Sequence, residues 1–393
     1  MLHRLIKPLE NQSFFLLGAR GTGKTYLLEQ LFKDKEVLTI NLLEEREFLT
    51  FSRNPERLRE RIEQRSLDLP QWVVIDEMQR IPALLNEVHS LIESPELRGR
   101  LKFALTGSSA RKLKRGGANL LAGRALLNYL YPLTHLEWPD NFTMEDAISW
   151  GGLPRVVLAE SVDERIELLD AYVATYIKEE IRVEQVVRNL DPFLRFIDVA
   201  AQMNGEVLNY SAIGRDCRTD PRMVERYYQI LEDTLLGVFI EPFHRSIRKR
   251  QLQKPKFLFF DMGVVAALKK SLNVPPRSST SLYGKQFEQF ITLEIYRINS
   301  YLRKRYSLFF YATHDGAEID LVIERPGGAL TAIEIKSSTE VSDVEIGKLS
   351  KFGKQIDATE LMVLSQERIA RKVNDVTVYP WKQGIAALFA ASP

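Results

Sequence analysis

A short glycine-rich stretch near the amino terminus constrains this chain more than any other segment. Residues 18–25 read Gly-Ala-Arg-Gly-Thr-Gly-Lys-Thr, which fits the spacing G-x-x-x-x-G-K-[ST]. An apolar run at 14–17 precedes the stretch, and residues 26–32 follow with helical apolar spacing. A strand, a glycine turn and a helix in this order form a loop whose backbone N–H groups surround a phosphate. The alternative is a chance match in an ordinary glycine turn, which the flanking elements disfavour.

Each part of this phosphate-binding loop (P-loop, residues 18–25) has a predicted task. Its glycines let the backbone curl around the phosphates. Lys24 is expected to reach the outer phosphates, and the Thr25 hydroxyl to bind Mg²⁺, so ATP and Mg²⁺ are the expected cofactors. The residues expected to contact the nucleotide here are Gly18, Ala19, Arg20, Gly21, Thr22, Gly23, Lys24, Thr25 and Tyr26.

Two acids end a second predicted strand, which covers residues 71–77. Its four consecutive apolar residues indicate a strand buried on both faces, as in a parallel sheet. In P-loop ATPases the first acid at such a strand end holds Mg²⁺ through water, and a following glutamate orients and deprotonates the attacking water. These roles are predicted for Asp76 and Glu77. The alternative is an acidic pair that starts a helix, which is common.

Small hydroxyl residues end the next predicted strand, at 100–109. Thr106 and Ser108 are close enough to its end to reach a γ-phosphate or the attacking water. The basic loop at 111–117 that follows is typical of a solvated face. Residues 129–133 are predicted to form the last strand of the sheet.

Four segments in this order resemble a bacterial and archaeal family of AAA+-type ATPases. They are residues 18–25, residues 74–82, residues 105–109, and Leu121-Ala122-Gly123-Arg124 followed by Tyr131-Pro132-Leu133. The resemblance implies an ATPase core, a helical and winged-helix middle, and a C-terminal nuclease-like domain. It implies a sensor role for Thr106 or Ser108. It also makes Arg124 a candidate catalytic arginine that acts in trans on a neighbouring subunit, as Arg111 equally is, although a structural salt bridge explains Arg124 as well.

The middle of the chain is predicted to be helical. After an ATPase core at 1–135, residues 136–190 are expected to form a helical lid over the nucleotide, and residues 191–275 a winged-helix domain. Its basic wing, at 244–251, is the most plausible contact with DNA phosphates. Many winged helices instead bind protein or pack internally, so this alternative stays open.

Beyond a linker at 275–281, residues 282–393 carry a third set of candidate site residues. Two predicted strands, 317–324 and 329–336, are joined by the turn 325–328. A three-residue loop centred on Gly327 would set Asp320 directly opposite Glu334. Two carboxylates at that spacing form an oxygen-rich site for Mg²⁺, and Lys336 beside them can orient or activate water.

This D…E-x-K arrangement resembles the PD-(D/E)XK nuclease fold, with RecB-like or resolvase-like ancestry. The resemblance implies that Asp320 and Glu334 bind metal, and that both act in catalysis with Lys336. It also implies a further metal ligand at Glu288, on the preceding helix. The alternative is a surface hairpin whose charges face water, and families of this kind can keep the fold after losing cleavage.

Composition narrows the remaining choices. The 393 residues carry a net charge of +2, so any nucleic-acid surface must be local. The single cysteine, Cys217, suits a reducing compartment, and no apolar stretch nears the roughly 18 residues of a membrane span. We expect a cytoplasmic α/β protein without a membrane partner: a homo-oligomeric ATPase acting on DNA, possibly branched or single-stranded. The alternative is a nucleotide-dependent switch or scaffold with an inert nuclease-fold domain.

Overall fold

The computed structural model describes most of the chain. The described residues are 2–64, 72–97, 99–109, 121, 123–139, 141–177, 190–246, 253–274, 276–278, 280–313 and 318–390. Within these ranges no helix is long and apolar enough to cross a membrane.

A parallel sheet forms the N-terminal part of the described structure, with the strand order β2-β3-β4-β1-β5. Its strands are β1 (Ser13–Leu17), β2 (Val37–Asn41), β3 (Trp72–Asp76), β4 (Lys102–Gly107) and β5 (Ala125–Tyr129). Every residue of β1 and β3 is buried, as expected for central strands covered on both faces. Because the strands are parallel, their carboxyl ends meet at one edge. The P-loop, Asp76 and the residues that follow β4 lie together at that edge.

The last strand of this sheet begins earlier than the sequence predicts. It pairs with β1 from Ser13↔Ala125 to Leu17↔Tyr129, so the prediction of a strand at 129–133 is wrong by four residues. The segment after Tyr129 instead packs against a helix from the far end of the chain. The backbone N–H of Tyr131 donates to the hydroxyl of Tyr301 at 2.9 Å, which removes it from strand pairing.

Helices cover both faces of this sheet. Phe15 and Leu17 point to one face, where α2, α3 and α4 pack, and Phe14 and Leu16 point to the other, where α1 packs. Tyr301 also joins the second core. The helices are α1 (Lys24–Phe32), α2 (Glu45–Arg53), α3 (Arg57–Glu63) and α4 (Leu84–Glu93).

The middle of the chain is helical, and its two predicted parts share one hydrophobic core. That core joins Leu169 and Tyr172, from the predicted lid, to Phe196 and Tyr228 from the predicted winged helix, and it reaches Ala19 of the P-loop. Its helices are α5 (Met144–Trp150), α6 (Pro154–Val157), α7 (Val162–Ala171) with a π-helical turn (Tyr172–Ile177), α8 (Leu190–Gln202), α9 (Tyr210–Cys217), α10 (Pro221–Asp233) and α11 (Met262–Leu268).

A second sheet crosses the predicted linker. Its strand order is β12-β13-β11-β10-β9-β8-β6-β7, so the hairpin of the middle region extends the C-terminal sheet through parallel pairing of Glu241 with Phe309. The strands are β6 (Gly237–Pro242), β7 (Lys256–Phe259), β8 (Ser307–Ala312), β9 (Glu318–Glu324), β10 (Leu330–Ile335), β11 (Glu360–Ser365), β12 (Arg371–Val373) and β13 (Val376–Pro380). The side chain at the start of β7 thereby comes close to the C-terminal candidate site.

The predicted basic wing lies between β6 and β7. Residues 247–251 of it fall outside the described residues. Of the described part, Arg245 forms an ion pair with Asp357 and donates to the carbonyl of Ile356 at 3.4 Å, so it is turned towards the C-terminal region. The winged-helix assignment and its DNA contact therefore stay predictions.

The register of β9 and β10 matches the sequence prediction. Ile333 pairs with Leu321, and Arg325 N donates to the carbonyl of Ala329 at 2.9 Å, which leaves a three-residue turn centred on Gly327. One further step along this register sets Asp320 opposite Glu334.

Helix α12 (Ser281–Tyr301) connects the two halves of the molecule. It is 21 residues long, about 30 Å at 1.5 Å per residue. Phe287 and Ile291 pack on the C-terminal sheet, whereas Tyr301 at the other end enters the core of the N-terminal sheet. The C-terminal sheet is further covered by α13 (Asp343–Gln355) and α14 (Trp381–Ala390).

Candidate functional site

The P-loop lies between the end of β1 and the start of α1, as the sequence predicts. Gly21 and Gly23 have φ angles of 78° and 90°, which side-chain-bearing residues rarely adopt. A Cβ at Gly18 would collide with the carbonyl oxygen of Leu130. These positions therefore need glycine, and the loop has the cradle shape that a phosphate group requires.

Lys24 begins α1 and folds back over the loop. Its ammonium donates to the carbonyls of Gly18 at 2.8 Å and Ala19 at 3.1 Å, and the residue is 6% exposed. A phosphate oxygen is a stronger, charge-assisted partner than a neutral carbonyl. The ammonium is therefore already positioned where an incoming phosphate can take over its hydrogen bonds.

Hydrogen bonds join the predicted magnesium and sensor residues. The Thr25 hydroxyl donates to Asp76 Oδ2 at 2.9 Å, and the Thr106 hydroxyl donates to Asp76 Oδ1. The Thr106 hydroxyl also accepts from the backbone N–H of Glu77 at 3.0 Å. The sheet order explains this arrangement, because β4 lies between β1 and β3 and brings Thr106 beside Asp76. The hydroxyl and carboxylate oxygens of Thr25 and Asp76 fit the hard-oxygen preference of Mg²⁺.

Glu77 is buried next to this group and has a left-handed φ of 59°. Its Oε2 accepts from Gln79 Nε2 at 2.5 Å, and the same amide nitrogen is 2.9 Å from the hydroxyl of Ser108. Gln79 thus links the predicted base to the predicted sensor. Sequence reasoning assigned no role to Gln79, and only its place two residues after Glu77 pointed to it.

A cavity of about 900 Å³ opens in front of the P-loop. Tyr26 and Glu77 line it together with residues of the loop, and its other walls come from residues 2–4, residues 136–139 and the lid residues Pro154, Arg155 and Leu158. The lid also contacts the loop directly, since the Tyr172 hydroxyl donates to the carbonyl of Arg20 at 3.0 Å. The volume lies in the usual range for a small-molecule site and has room for a nucleotide.

Arg124 lies outside this site within the same chain. It directly precedes β5, whose first residue pairs with Ser13, so it is at the amino edge of the sheet and the P-loop is at the carboxyl edge. Arg124 forms an ion pair with Glu93 at the end of α4. The salt-bridge alternative therefore describes an observed contact, and the action in trans stays a prediction. Arg111 lies outside the described residues.

A second group of charged residues surrounds the predicted nuclease motif. Lys336 Nζ donates to Glu334 Oε1 at 2.6 Å, and Asp320 Oδ2 accepts from the backbone N–H of Ile335 at 2.7 Å. Lys256, at the start of β7, lies 3.3 Å from Glu288 Oε1 and 2.5 Å from Glu318 Oε1. We call the group of Lys256, Glu288, Glu318, Asp320, Glu334 and Lys336 the acidic cluster.

Sequence reasoning missed Lys256 and Glu318. Lys256 reaches the acidic cluster only because the β6–β7 hairpin joins the C-terminal sheet, and no local pattern announces that pairing. Glu318 lies two residues before Asp320 on the same strand. Its position on the Asp320 face of β9 was a usable signal.

Burial and mutual repulsion change the protonation of the acidic cluster. Burial, together with the Asp320 charge, raises the pKa of Glu288 to about 7 and that of Glu334 to about 8. Burial also raises the pKa of Asp320. Burial alone would lower the pKa of Lys256, but the neighbouring charges of Glu288 and Glu318 outweigh it and raise that pKa. Both lysines are therefore charged and neutralise acids at neutral pH.

No ready-made metal site is found in the part of the chain that the structure describes. It holds no group of three or more His, Cys, Asp or Glu side chains arranged to bind a metal ion. In the acidic cluster, two ammonium groups occupy positions beside the carboxylates. Metal binding by Glu288, Asp320 and Glu334 therefore stays a prediction that requires these lysines to be displaced.

Comparison with known families agrees with the geometry of the first site. Residues 10–138 match the family model described as an AAA domain. That match and the parallel sheet support an AAA+-type P-loop fold for the N-terminal part. Residues 141–277 and 283–383 match two further models, each described as a domain of unknown function (DUF8612 and DUF4143). A nuclease identity for the C-terminal part does not follow from that match.

Two curated relatives were found in mycobacteria. They are "Uncharacterized protein Rv2008c" of Mycobacterium tuberculosis and "Uncharacterized protein Mb2031c" of Mycobacterium bovis. Each is 26% identical over 262 residues, which is 65% of this chain and 56% of the relative. The match thus spans little more than half the length of these relatives.

Solved structures with local likeness include three ATPase-related proteins. The Aeropyrum pernix ORC1 protein in complex with DNA has a TM-score of 0.26 at 16% identity, with 66% of this chain and 86% of that chain covered. AMPPCP-bound DnaA from Aquifex aeolicus has a TM-score of 0.26 at 14% identity, covering 57% and 82%. A STAND protein of Pyrococcus horikoshii has a TM-score of 0.25 at 15% identity, covering 75% and 47%. TM-scores this low do not establish a shared overall fold.

Proposed function

We propose that this chain is a Mg²⁺-dependent ATPase of AAA+ type whose nucleotide state controls work on DNA. The observation that carries the proposal is the hydrogen-bonded group of Thr25, Asp76, Thr106 and Glu77 at the mouth of the P-loop. It combines a phosphate cradle, a pair of oxygen ligands and a carboxylate in one place beneath a cavity of about 900 Å³.

The residues of the chain divide the work of hydrolysis. Lys24 neutralises charge on the outer phosphates, and Thr25 and Asp76 would hold Mg²⁺, which supplies further neutralisation of the triphosphate. Glu77 orients a water molecule and accepts its proton. Thr106 holds both Asp76 and the backbone of Glu77, so it fixes the distance between the metal ligands and the base.

Assembly into a homo-oligomer is part of the proposal. Arg124 is at the amino edge of its own sheet and its side chain is 35% exposed, so it is available to a neighbouring chain and remote from its own P-loop. A neighbour's arginine would then stabilise charge in the transition state. The Glu93 pair would have to open for this contact to form.

The C-terminal region is proposed as the part that acts on DNA. Support comes from the placement of Asp320 opposite Glu334, with Lys336 bonded to Glu334 and Glu288 on the adjoining helix. In this proposal the carboxylates bind Mg²⁺ and Lys336 orients the water that attacks a phosphodiester. Single-stranded or branched DNA is the proposed substrate class.

A specific observation favours a second function. Lys256 and Lys336 already neutralise the acidic cluster, which is the arrangement expected of a nuclease fold that no longer binds metal. The chain would then be a nucleotide-dependent switch or scaffold that recognises nucleic acid or protein without cutting.

One experiment separates these functions. ATP turnover is measured with and without single-stranded, duplex and branched DNA, and the DNA products are scored on gels in parallel. Wild type, Lys24→Ala and Asp320→Ala are compared. DNA-stimulated turnover that Lys24→Ala abolishes supports the ATPase, and cleavage that Asp320→Ala abolishes supports the nuclease. Turnover that no nucleic acid changes contradicts action on DNA, and cleavage that survives Asp320→Ala contradicts the assigned cleavage site.

A further inference from the structure

Arg4 is buried where three parts of the chain meet. The residue is only 7% exposed, and its guanidinium donates to Glu137 Oε1 at 2.9 Å and to the carbonyl of Tyr131 at 2.6 Å. It also donates to the carbonyl of Thr22 at 2.8 Å and to the hydroxyl of Tyr301 at 3.1 Å. The planar guanidinium carries several donors in a fixed geometry, so these partners are held relative to one another.

The contact with Thr22 reaches into the P-loop. The peptide between Thr22 and Gly23 is planar and trans, so its carbonyl and its N–H point in opposite directions. By holding the carbonyl, Arg4 fixes the direction of the Gly23 N–H, which points away from Arg4. That N–H belongs to the loop residues that surround a phosphate, and the positive φ of Gly23 leaves it otherwise easy to turn.

The contact with Tyr301 reaches the last residue of α12. The same hydroxyl accepts from the backbone N–H of Tyr131 at 2.9 Å, so the helix end is tied both to Arg4 and to the segment after β5. Earlier in the helix, the buried Glu294 accepts from His135 N at 2.9 Å, and Arg297 donates to the carbonyl of Phe260 at 2.7 Å. The helix is thus fixed at several points along its length.

Helix α12 also carries a residue of the acidic cluster. Glu288 precedes Tyr301 by 13 positions, which corresponds to about 20 Å along the helix axis. A rigid helix of this length transmits a shift at one end to the other. Arg4 is the side chain through which that helix touches a P-loop carbonyl.

We propose that Arg4 is a positioning residue of the nucleotide site and that it couples the P-loop to α12. A bound nucleotide stabilises one direction of the Thr22–Gly23 peptide, and through Arg4 and Tyr301 this favours one position of the helix that carries Glu288. Linkage makes the effect reciprocal, so the position of α12 sets the affinity for nucleotide. The inference rests on the proposed nucleotide site.

The test uses the full chain with ATP and with the non-hydrolysable analogue AMPPCP. Arg4→Lys keeps the charge and loses the fork, and Tyr301→Phe removes only the hydroxyl that contacts Arg4. Tyr283→Phe is the matched control, because it makes the same change at the other end of the same helix, where the hydroxyl lies 3.4 Å from Gln366. Nucleotide affinity is measured by calorimetry, turnover at saturating ATP, and hydrogen exchange of α12 with and without AMPPCP.

We expect Arg4→Lys to weaken nucleotide binding about tenfold and Tyr301→Phe about threefold, since each loses hydrogen bonds that order the loop without touching the ligand. Turnover at saturating ATP should change less than about twofold, because the groups that act on the attacking water are intact. AMPPCP should slow exchange in the last turns of α12 in wild type and in Tyr283→Phe. In Tyr301→Phe that slowing should be lost while the P-loop remains protected.

Three outcomes would overturn the inference. Nucleotide affinity and α12 exchange that are the same in all variants would remove the coupling. Faster exchange throughout Tyr301→Phe in the absence of nucleotide would assign the hydroxyl a purely structural role. Wild type that binds no nucleotide would overturn the proposed function together with the inference, whereas wild type that binds normally beside unaffected variants would overturn the inference alone.

Discussion

Lys24 and Lys336 are the lysines of the two candidate sites, and they lie in different surroundings. The Lys24 ammonium donates to main-chain carbonyls of its own loop at 2.8 and 3.1 Å. The Lys336 ammonium donates to the Glu334 carboxylate at 2.6 Å. An anionic phosphate can replace neutral carbonyls at little electrostatic cost. A metal ion entering the acidic cluster must instead compete with a cation that is already paired.

The difference shows how far each site is prepared for its proposed ligand. The P-loop is built from backbone geometry and needs only the ligand to complete it. The acidic cluster is neutralised by Lys256 and Lys336, and its acids bind protons unusually well. We therefore expect substitutions in the first site to have large, simple effects, and those in the second to depend on metal and pH.

The largest effect is expected for Glu77→Gln. Removing the proposed base should lower ATP turnover about 100-fold or more and leave nucleotide binding intact, because the amide keeps the shape but accepts no proton. Steady-state turnover and equilibrium ATP binding are measured side by side. Glu87→Gln on α4 makes the same change at a distance from the P-loop and should leave both unchanged. Full turnover by Glu77→Gln would show that another group activates the water.

Asp320→Asn makes the corresponding change in the acidic cluster. If the cluster cuts DNA, cleavage should fall about 100-fold while ATP turnover stays within about twofold, because a neutral amide is a poor ligand for Mg²⁺. DNA products and phosphate release are scored in the same samples. Glu324→Gln, further along the same strand, serves as the control. Loss of ATP turnover together with cleavage would contradict the separation of the two sites.

Lys256→Gln tests whether an internal cation blocks the acidic cluster. Removing a charge that lies 3.3 Å from Glu288 and 2.5 Å from Glu318 should strengthen Mn²⁺ binding about tenfold, because the metal no longer competes with the ammonium. Calorimetric titration with Mn²⁺ measures the change. Lys254→Gln replaces a neighbouring exposed lysine and should have little effect. Weaker Mn²⁺ binding by Lys256→Gln would mean that Lys256 organises the site rather than blocking it.

The smallest effect is expected in the pH dependence of stability. The pKa of Glu334 is raised to about 8 in the folded chain, above its ordinary value of 4.5, so the folded state holds this proton more tightly. The stabilisation is fully present below pH 4.5 and is lost as the pH rises through 8. Glu334→Gln should therefore gain stability relative to wild type between pH 5 and 8, by about 1 kcal/mol. Urea unfolding at both pH values checks this, and a parallel dependence in the two proteins would contradict it.

Local sequence carried most of the first site. The P-loop is contiguous, and the meeting of Asp76 and Thr106 follows from the rule that parallel strands end at a common edge. The opposition of Asp320 and Glu334 followed from strand alternation and a turn of defined length. In each case a short-range pattern determined the geometry.

The remaining contacts join residues that are far apart in the chain. Arg4 and Glu137 are 133 positions apart, and Arg4 and Tyr301 are 297 apart. Lys256 enters the acidic cluster through pairing of β6 with β8, and both strands look complete without it. No periodicity or turn signal in one segment specifies such a partner, because the contact depends on how the separate units pack.

Equilibrium binding of ATP to wild type and to Lys24→Ala tests the central claim most directly. Titration in the presence of Mg²⁺ should give one ATP per wild-type chain and no measurable binding to Lys24→Ala at the same concentrations, because the phosphates lose their charged partner. Lys35→Ala, at an exposed lysine just beyond the end of α1, should bind like wild type. Equal binding by Lys24→Ala and wild type would contradict the assignment of residues 18–25 as a nucleotide site.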